Sequence, residues 1–234
     1  MERRIVRILL VVLVALGLGV SFLFLYYNDP LPKTEQSPEA NALAMKMLSA
    51  IHFDAYKETR FLEWSFQGGK NTYTWDKNSG NAIVRWDNTK VQLNLINPKK
   101  SSVFNNGVAV SGAERKELLN KALKNFNNDS FWLVAPFKIF DKGTKRGLVP
   151  LKGGKSGLLV TYSQGGDTPG DSYLWKLDDD GLPLSYSMWV QILPFKGITA
   201  SWEGWTEMES GILLPQSHKI GPVTLDMGTI KAYN

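Results

Sequence analysis

The chain has 234 residues, a formal charge of +5 and no cysteine. Without cysteine there is no disulfide framework, no thiolate metal site and no lipid-modified cysteine to act as a lipoprotein anchor. Arg3, Arg4, Arg7 and Glu2 stand at the start and leave about +3 on the rest, which is ordinary for solubility; no basic run interleaves with aromatics, so nucleic acid is not an expected partner.

Ile5 to Tyr27 is apolar apart from Arg7 and Ser21. At 1.5 Å per residue such a run crosses a hydrocarbon core of about 30 Å as one helix. The arginines before it hold the N-terminus inside, and Tyr26 and Tyr27 close it at headgroup depth. A cleaved signal peptide, cut near Ala15 to Gly19, is the competing reading. The apolar run continues through Phe22 to Tyr27, past that site, which favours an uncleaved anchor. Residues 1–27 are thus read as cytoplasmic tip and transmembrane anchor, single-pass in a bacterial cytoplasmic membrane. The remainder is expected to face the periplasm or the cell exterior.

Residues 28–38 hold three prolines among polar residues and read as an extended linker. Ser37 and Pro38 then open a helix as N-cap and first helical residue, with Leu43, Met47 and Leu48 on its apolar face through about Ile51. From Arg60 the apolar period changes to two. Leu62, Trp64 and Phe66 alternate; Tyr73 and Trp75, then Ala82, Val84 and Trp86, then Val91, Leu93 and Leu95 follow, separated by Gly- and Asn-rich turns. Asn105-Asn106-Gly107 adds another hairpin signal. These short runs predict a continuous antiparallel meander.

Ala113 to Asn125 predicts an inserted helix with Leu118, Leu119, Ala122 and Phe126 buried, and residues 131–137 form a dense apolar patch beside it. Strands are predicted to resume at Gly157, with Leu158, Val160 and Tyr162. The clearest hairpin is Ser172 to Val190. Tyr173, Trp175 and Leu177 alternate on one arm; Leu184, Tyr186, Met188 and Val190 alternate on the other, around Asp178-Asp179-Asp180-Gly181. Ile198, Ala200 and Trp202, then Ile212 to Leu214, and a last arm around Thr224 to Tyr233 complete the chain. Residues 39–234 are a plausible size for one domain.

Chemistry is sparse. His52 and His218 lie in no metal-ligand spacing; His52 is read as ending a helix and His218 as a strand residue. The three aspartates lack the calcium-loop order and read as a turn. Gly153-Gly154 and Gly165-Gly166 do not fit a phosphate loop. Glu203, Glu207 and Glu209 are explained by solvated strand faces as well as by an acid–base pair. No catalytic residue, metal ligand or cofactor is assigned, and the chain is read as a non-enzyme.

Large aromatics recur on alternating arms, and a curved sheet with helices in its mouth can enclose a cavity for an apolar ligand. The lining predicted from face and alternation is Leu62, Trp64, Phe66, Trp75, Trp86 and Leu93 from the first strands. Trp132, Tyr162, Trp175, Tyr186, Met188 and Trp202 join them from the second half.

Leu174-Trp175-Lys176-Leu177-Asp178 with Gly181-Leu182-Pro183-Leu184 resembles the strand–turn–strand element of the LolA/LolB-like (outer-membrane lipoprotein carrier-like) superfamily. Glu207 to Pro215 is similar to that family's strand entry. The resemblance implies an α+β fold, a curved antiparallel half-barrel covered by helices. It also implies a lipid, a lipoprotein acyl chain or another apolar molecule as ligand. The retained anchor and the missing cysteine point to a membrane-tethered lipid-handling module rather than a travelling carrier or a lipidated receptor. Two alternatives stand beside it. One is a ligand-free envelope interaction module whose edge strands pair with a partner protein; the other is an extracytoplasmic hydrolase.

Overall fold

The computed structural model describes residues 28–164 and 169–234. The predicted anchor and Gly165-Gly166 lie outside the described residues. Among the described residues no helix is long and apolar enough to cross a membrane.

The described chain is α+β, with antiparallel sheets and three α-helices. Helix α1 spans Pro38–Ala50, and its N-cap Ser37 accepts a hydrogen bond from the Ala40 N–H at 3.1 Å. Strands β1 (Phe61–Phe66), β2 (Asn71–Asp76), β3 (Asn81–Trp86), β4 (Thr89–Asn94), β5 (Ser102–Asn105) and β6 (Val108–Ala109) form the predicted meander in sequence order. Their inward residues alternate as expected: Leu62, Trp64 and Phe66 on β1, Ala82, Val84 and Trp86 on β3, Val91 and Leu93 on β4 are all buried. The seventh strand of this sheet is the last of the chain, β16 (Lys231–Tyr233), paired beside β1 with Leu62 opposite Ala232.

A five-stranded sheet carries the second half, in the order β11-β10-β9-β8-β7. These are β7 (Thr144–Pro150), β8 (Ser156–Tyr162), β9 (Ser172–Leu177), β10 (Pro183–Trp189) and β11 (Ile198–Ser201). Two short ribbons follow, β12 (Thr206–Glu207) with β13 (Leu213–Leu214), and β14 (Ser217–Ile220) with β15 (Val223–Asp226). One continuous buried cluster runs from α1 through both sheets to Met227 and Ala232.

Five expectations are corrected. Helix α3 spans Gly112–Val134, continuing well past Asn125, and a 3-10 turn at Ala135–Lys138 follows. Past Asn125, Phe126, Asp129, Ser130, Leu133 and Val134 keep the helical face buried. Strands resume at Thr144 rather than Gly157, because β7 is an edge strand with weak alternation. On β10 the register shifts between Pro183 and Ser185, so Leu184 sits in a bulge and is 50% exposed instead of sharing the face of Tyr186. The last arm divides into β15 and β16, which belong to different sheets. His52 does not simply end α1: it takes a left-handed conformation (φ 58°) and opens a second short helix, α2 (Phe53–Glu58). Its Nδ1 donates to the Gly211 carbonyl at 2.7 Å.

The linker is laid against the five-stranded sheet rather than held free. Asp29 N–H donates to the Lys196 carbonyl at 3.1 Å, and Trp189 Nε1 donates to the Asp29 carbonyl at 2.8 Å. At its other end Gln36 bridges to Gly147 of β7. Both ends rest on glycines for close approach: a Cβ on Gly197 would stand 2.6 Å from Asp29 Cβ, and one on Gly147 would stand 1.6 Å from Thr34 Oγ1.

Candidate functional site

Side chains of both sheets point at a shared interior, and α3 lies across it. As far as Asp129 the helix meets the seven-stranded sheet, where the Phe126 ring packs 6.0 Å from Trp64 and 5.3 Å from Trp75, edge-on to the latter. Its last turn meets the five-stranded sheet: Phe131 lies 4.9 Å from Tyr173, and Trp132 lies 5.6 Å from Tyr186. One helix therefore joins two aromatic groups.

The group on the five-stranded sheet is the denser. Trp175 and Tyr186 are opposite residues of β9 and β10, and their rings meet edge-on at 4.9 Å. Trp202, just past β11, packs 5.0 Å from Trp175 and 5.6 Å from Tyr186. His218 of β14 completes the group at 4.4 Å from Trp202 and 5.1 Å from Trp132. Tyr162 and Tyr173 extend it along β8 and β9 with rings 5.8 Å apart.

Polar atoms in this interior fall into two kinds. Asp129 of α3 is buried and fully engaged: it accepts from Asn71 Nδ2 at 2.9 Å, from the Tyr73 hydroxyl, and from Asn128 Nδ2 at 2.8 Å. Burial raises its pKa, with those hydrogen bonds opposing the shift. In contrast, Trp64, Trp75, Trp175 and Trp202 Nε1, the Tyr162 hydroxyl and His218 Nε2 are buried without a hydrogen bond of proper geometry. Each such group costs about 1–3 kcal/mol when left unpaired.

His218 has a defined tautomer. Its Nδ1 stands 3.0 Å from the Ser201 carbonyl, an acceptor only, so in the neutral ring Nδ1 carries the proton and Nε2 does not. Burial pushes its pKa down to about 4, against smaller opposing effects of the Ser201 and Trp132 backbones and of Glu203. Burial likewise raises the Tyr162 and Tyr186 hydroxyls well above the usual tyrosine value.

Of the lining residues chosen from the sequence, Trp75 and Trp132 are partly buried and the others are buried. The structure brings Trp132, Tyr162, Trp175, Tyr186 and Trp202 together in the second aromatic group through shared neighbours. Trp64 and Trp75 meet through Phe126 on the other sheet. Trp86 lies under Lys121, whose ammonium is 5.0 Å from its ring. Leu62, Phe66, Leu93 and Met188 belong to the same continuous core. Sequence reasoning placed Phe126 on the buried side of its helix and Tyr173 on the apolar face of its strand but named neither as lining, and it assigned Asp129 and His218 to neither place. Tyr173 and Phe126 carried the right periodicity; Asp129 and His218 carried no signal.

Carboxylates considered for acid–base work do not gather here. Glu203 pairs with Lys219 at 3.0 Å, which lowers its pKa. Glu207 and Glu209 line a separate open cleft of about 690 Å³ together with Met208, Gln216 and Lys231. Asp178 Oδ1 accepts from the N–H groups of Asp180 and Leu182 at 3.0 and 2.8 Å, so it organises the β9–β10 turn. Among the described residues no group of three or more His, Asp or Glu is placed to hold a metal.

No family model and no curated protein matches the chain. Among solved structures it is similar to a DUF1329 family protein from Desulfovibrio piger ATCC 29098. That likeness has 12% identity and a TM-score of 0.42, covering 85% of this chain and 93% of that one.

Proposed function

We propose that the chain is an extracytoplasmic, membrane-tethered binding protein of the bacterial cell envelope. It takes a lipid, a lipoprotein acyl chain or a comparable apolar ligand without catalysis. On this reading the two sheets act together as a half-barrel covered by α1 and α3, and residues 1–27 are the anchor. The ligand sits between the second half of α3 and the five-stranded sheet, against Trp132, Trp175, Tyr186 and Trp202.

The supporting observation is the set of unpartnered polar atoms inside an aromatic interior. Trp175 and Trp202 Nε1 and the Tyr162 hydroxyl are donors, while His218 Nε2 is an acceptor. A solid apolar core gains nothing from such groups. A site for an amphiphile uses them: aromatic faces take the hydrocarbon, and a few fixed polar atoms orient an ester, amide or hydroxyl.

Native mass spectrometry of the full chain, purified in detergent from a bacterial host before and after organic extraction, tests the reading. A co-purifying lipid mass lost on extraction is expected, weakened by Trp175→Ala. A bare protein mass that stays unchanged after incubation with envelope lipids overturns it and favours the ligand-free interaction module.

A further inference from the structure

We propose that the β10–β11 loop, residues 190–197, is a second membrane contact, which inserts Ile192 and Pro194 into the bilayer interface beside the point where the chain leaves the membrane. The inference rests on the reading of Ile5 to Tyr27 as an anchor, and it adds an orientation for the domain.

The loop is tied to the chain where that apolar run ends. Lys196 N–H donates to Asn28 Oδ1 at 3.1 Å, Asp29 N–H donates to the Lys196 carbonyl at 3.1 Å, and Trp189 Nε1 donates to the Asp29 carbonyl at 2.8 Å. Asn28 directly follows Tyr27, and consecutive Cα atoms are about 3.8 Å apart. Lys196 is therefore hydrogen-bonded to the first residue after the apolar run, which on the anchor reading leaves the bilayer at headgroup depth. From Asn28 onward the chain is tied to the domain, so on the anchor reading the loop stays at the membrane surface.

Its side chains suit that place. Ile192 is 71% exposed and Pro194 is exposed; Leu31, just past Asp29, is 45% exposed. Val190 to Gly197 contains no carboxylate, and its one lysine is turned inward, with Nζ donating to the carbonyls of Val190 and Leu193. Trp189, half-buried and hydrogen-bonded through its indole N–H, is the residue type favoured where an apolar ring meets headgroups. The loop is also preorganised. Gln191 N–H donates to Asp171 Oδ1 at 3.0 Å and Gln191 Nε2 to the Pro169 carbonyl at 2.8 Å, so insertion orders little. Ile96, 79% exposed, and Val108, 69% exposed, belong to the other sheet's β4–β5 connection and β6, and serve as controls.

Because the chain has no cysteine, Ile192→Cys, Ile96→Cys and Val108→Cys each give a single labelling site. Each full chain is labelled with an environment-sensitive fluorophore and reconstituted into phosphatidylcholine/phosphatidylglycerol vesicles, with and without doxyl-labelled lipid. The expected result is a chain that floats with the vesicles, with a blue-shifted, doxyl-quenched label at 192 and water-like labels at 96 and 108. A chain that floats with a water-like label at 192, or with all three labels quenched alike, overturns the docking while leaving the anchor intact. A chain that does not float overturns both.

Discussion

Asp129→Ala separates a polar network that holds α3 to the first sheet from an incidental buried acid. Asn71 and Tyr73 are 5% and 2% exposed, and both donate to Asp129 Oδ2. Alanine leaves both donors buried without that acceptor, at about 1–3 kcal/mol each. Loss of the carboxylate's own burial penalty offsets part of this, so the net destabilisation is about 2–4 kcal/mol. Asp129→Asn keeps an acceptor oxygen for both donors and loses less. The pH dependence gives a second, independent sign. Burial raises the folded-state pKa of Asp129 above its usual value of 3.8. Between those values the native chain holds a proton that the unfolded chain has released. The associated stability is fully present below 3.8 and is lost as pH rises through the folded pKa. Asp129→Asn therefore improves relative to the wild type as pH rises from 4 towards neutrality. Urea unfolding followed by tryptophan fluorescence at several pH values measures both effects. An alanine variant within about 0.5 kcal/mol of wild type, or an asparagine variant that runs parallel to it across pH, refutes the reasoning.

Gly147→Ala places a Cβ 1.6 Å from Thr34 Oγ1, so residues 34–36 are expected to leave β7 and exchange amide hydrogens faster, with the tryptophan core unchanged. Leu184→Ser, at a 50% exposed bulge residue, is expected to shift stability by no more than about 0.5 kcal/mol, whereas Leu158→Ala at a fully buried strand residue loses about 2–5 kcal/mol; thermal melts compare the two. His218, depressed to about 4 from 6.5, contributes stability that is complete above 6.5 and falls away as pH drops through about 4, a loss on the order of 3 kcal/mol. His218→Phe keeps an aromatic ring there and is expected to flatten that acid limb in urea titrations.

Local pattern carried the first sheet almost completely. Each strand from β1 to β5 is short, half-buried and bounded by Gly, Asn or Pro, so alternation and turn chemistry agree at every step. The misses share a different cause. Asn127 to Ser130, past the predicted end at Asn125, are residue types that favour turns and caps over helix interiors. Asp129 overrides that preference through Asn71 and Tyr73, partners far away in sequence. The bulge at Leu184 is likewise set by pairing between β9 and β10, not by the local alternation. β7 was missed because its alternation is weak and its close packing is with the linker.

The interior shows the same division. Alternation finds which face a tryptophan occupies, and it found Trp175, Tyr186 and Trp202 on one. It does not find His218, which closes that face from β14, and Trp132, named from the apolar patch at 131–137, reaches it from α3. Polarity then distinguishes the two sides. On the seven-stranded sheet the buried acid of α3 is met by two donors of β2, Asn71 and Tyr73, a solution that fixes the helix. On the five-stranded sheet four of the six unpartnered polar atoms, those of Tyr162, Trp175, Trp202 and His218, share one aromatic group with no such solution. Helix α3 is fastened on one side and rests on unsatisfied polar groups on the other.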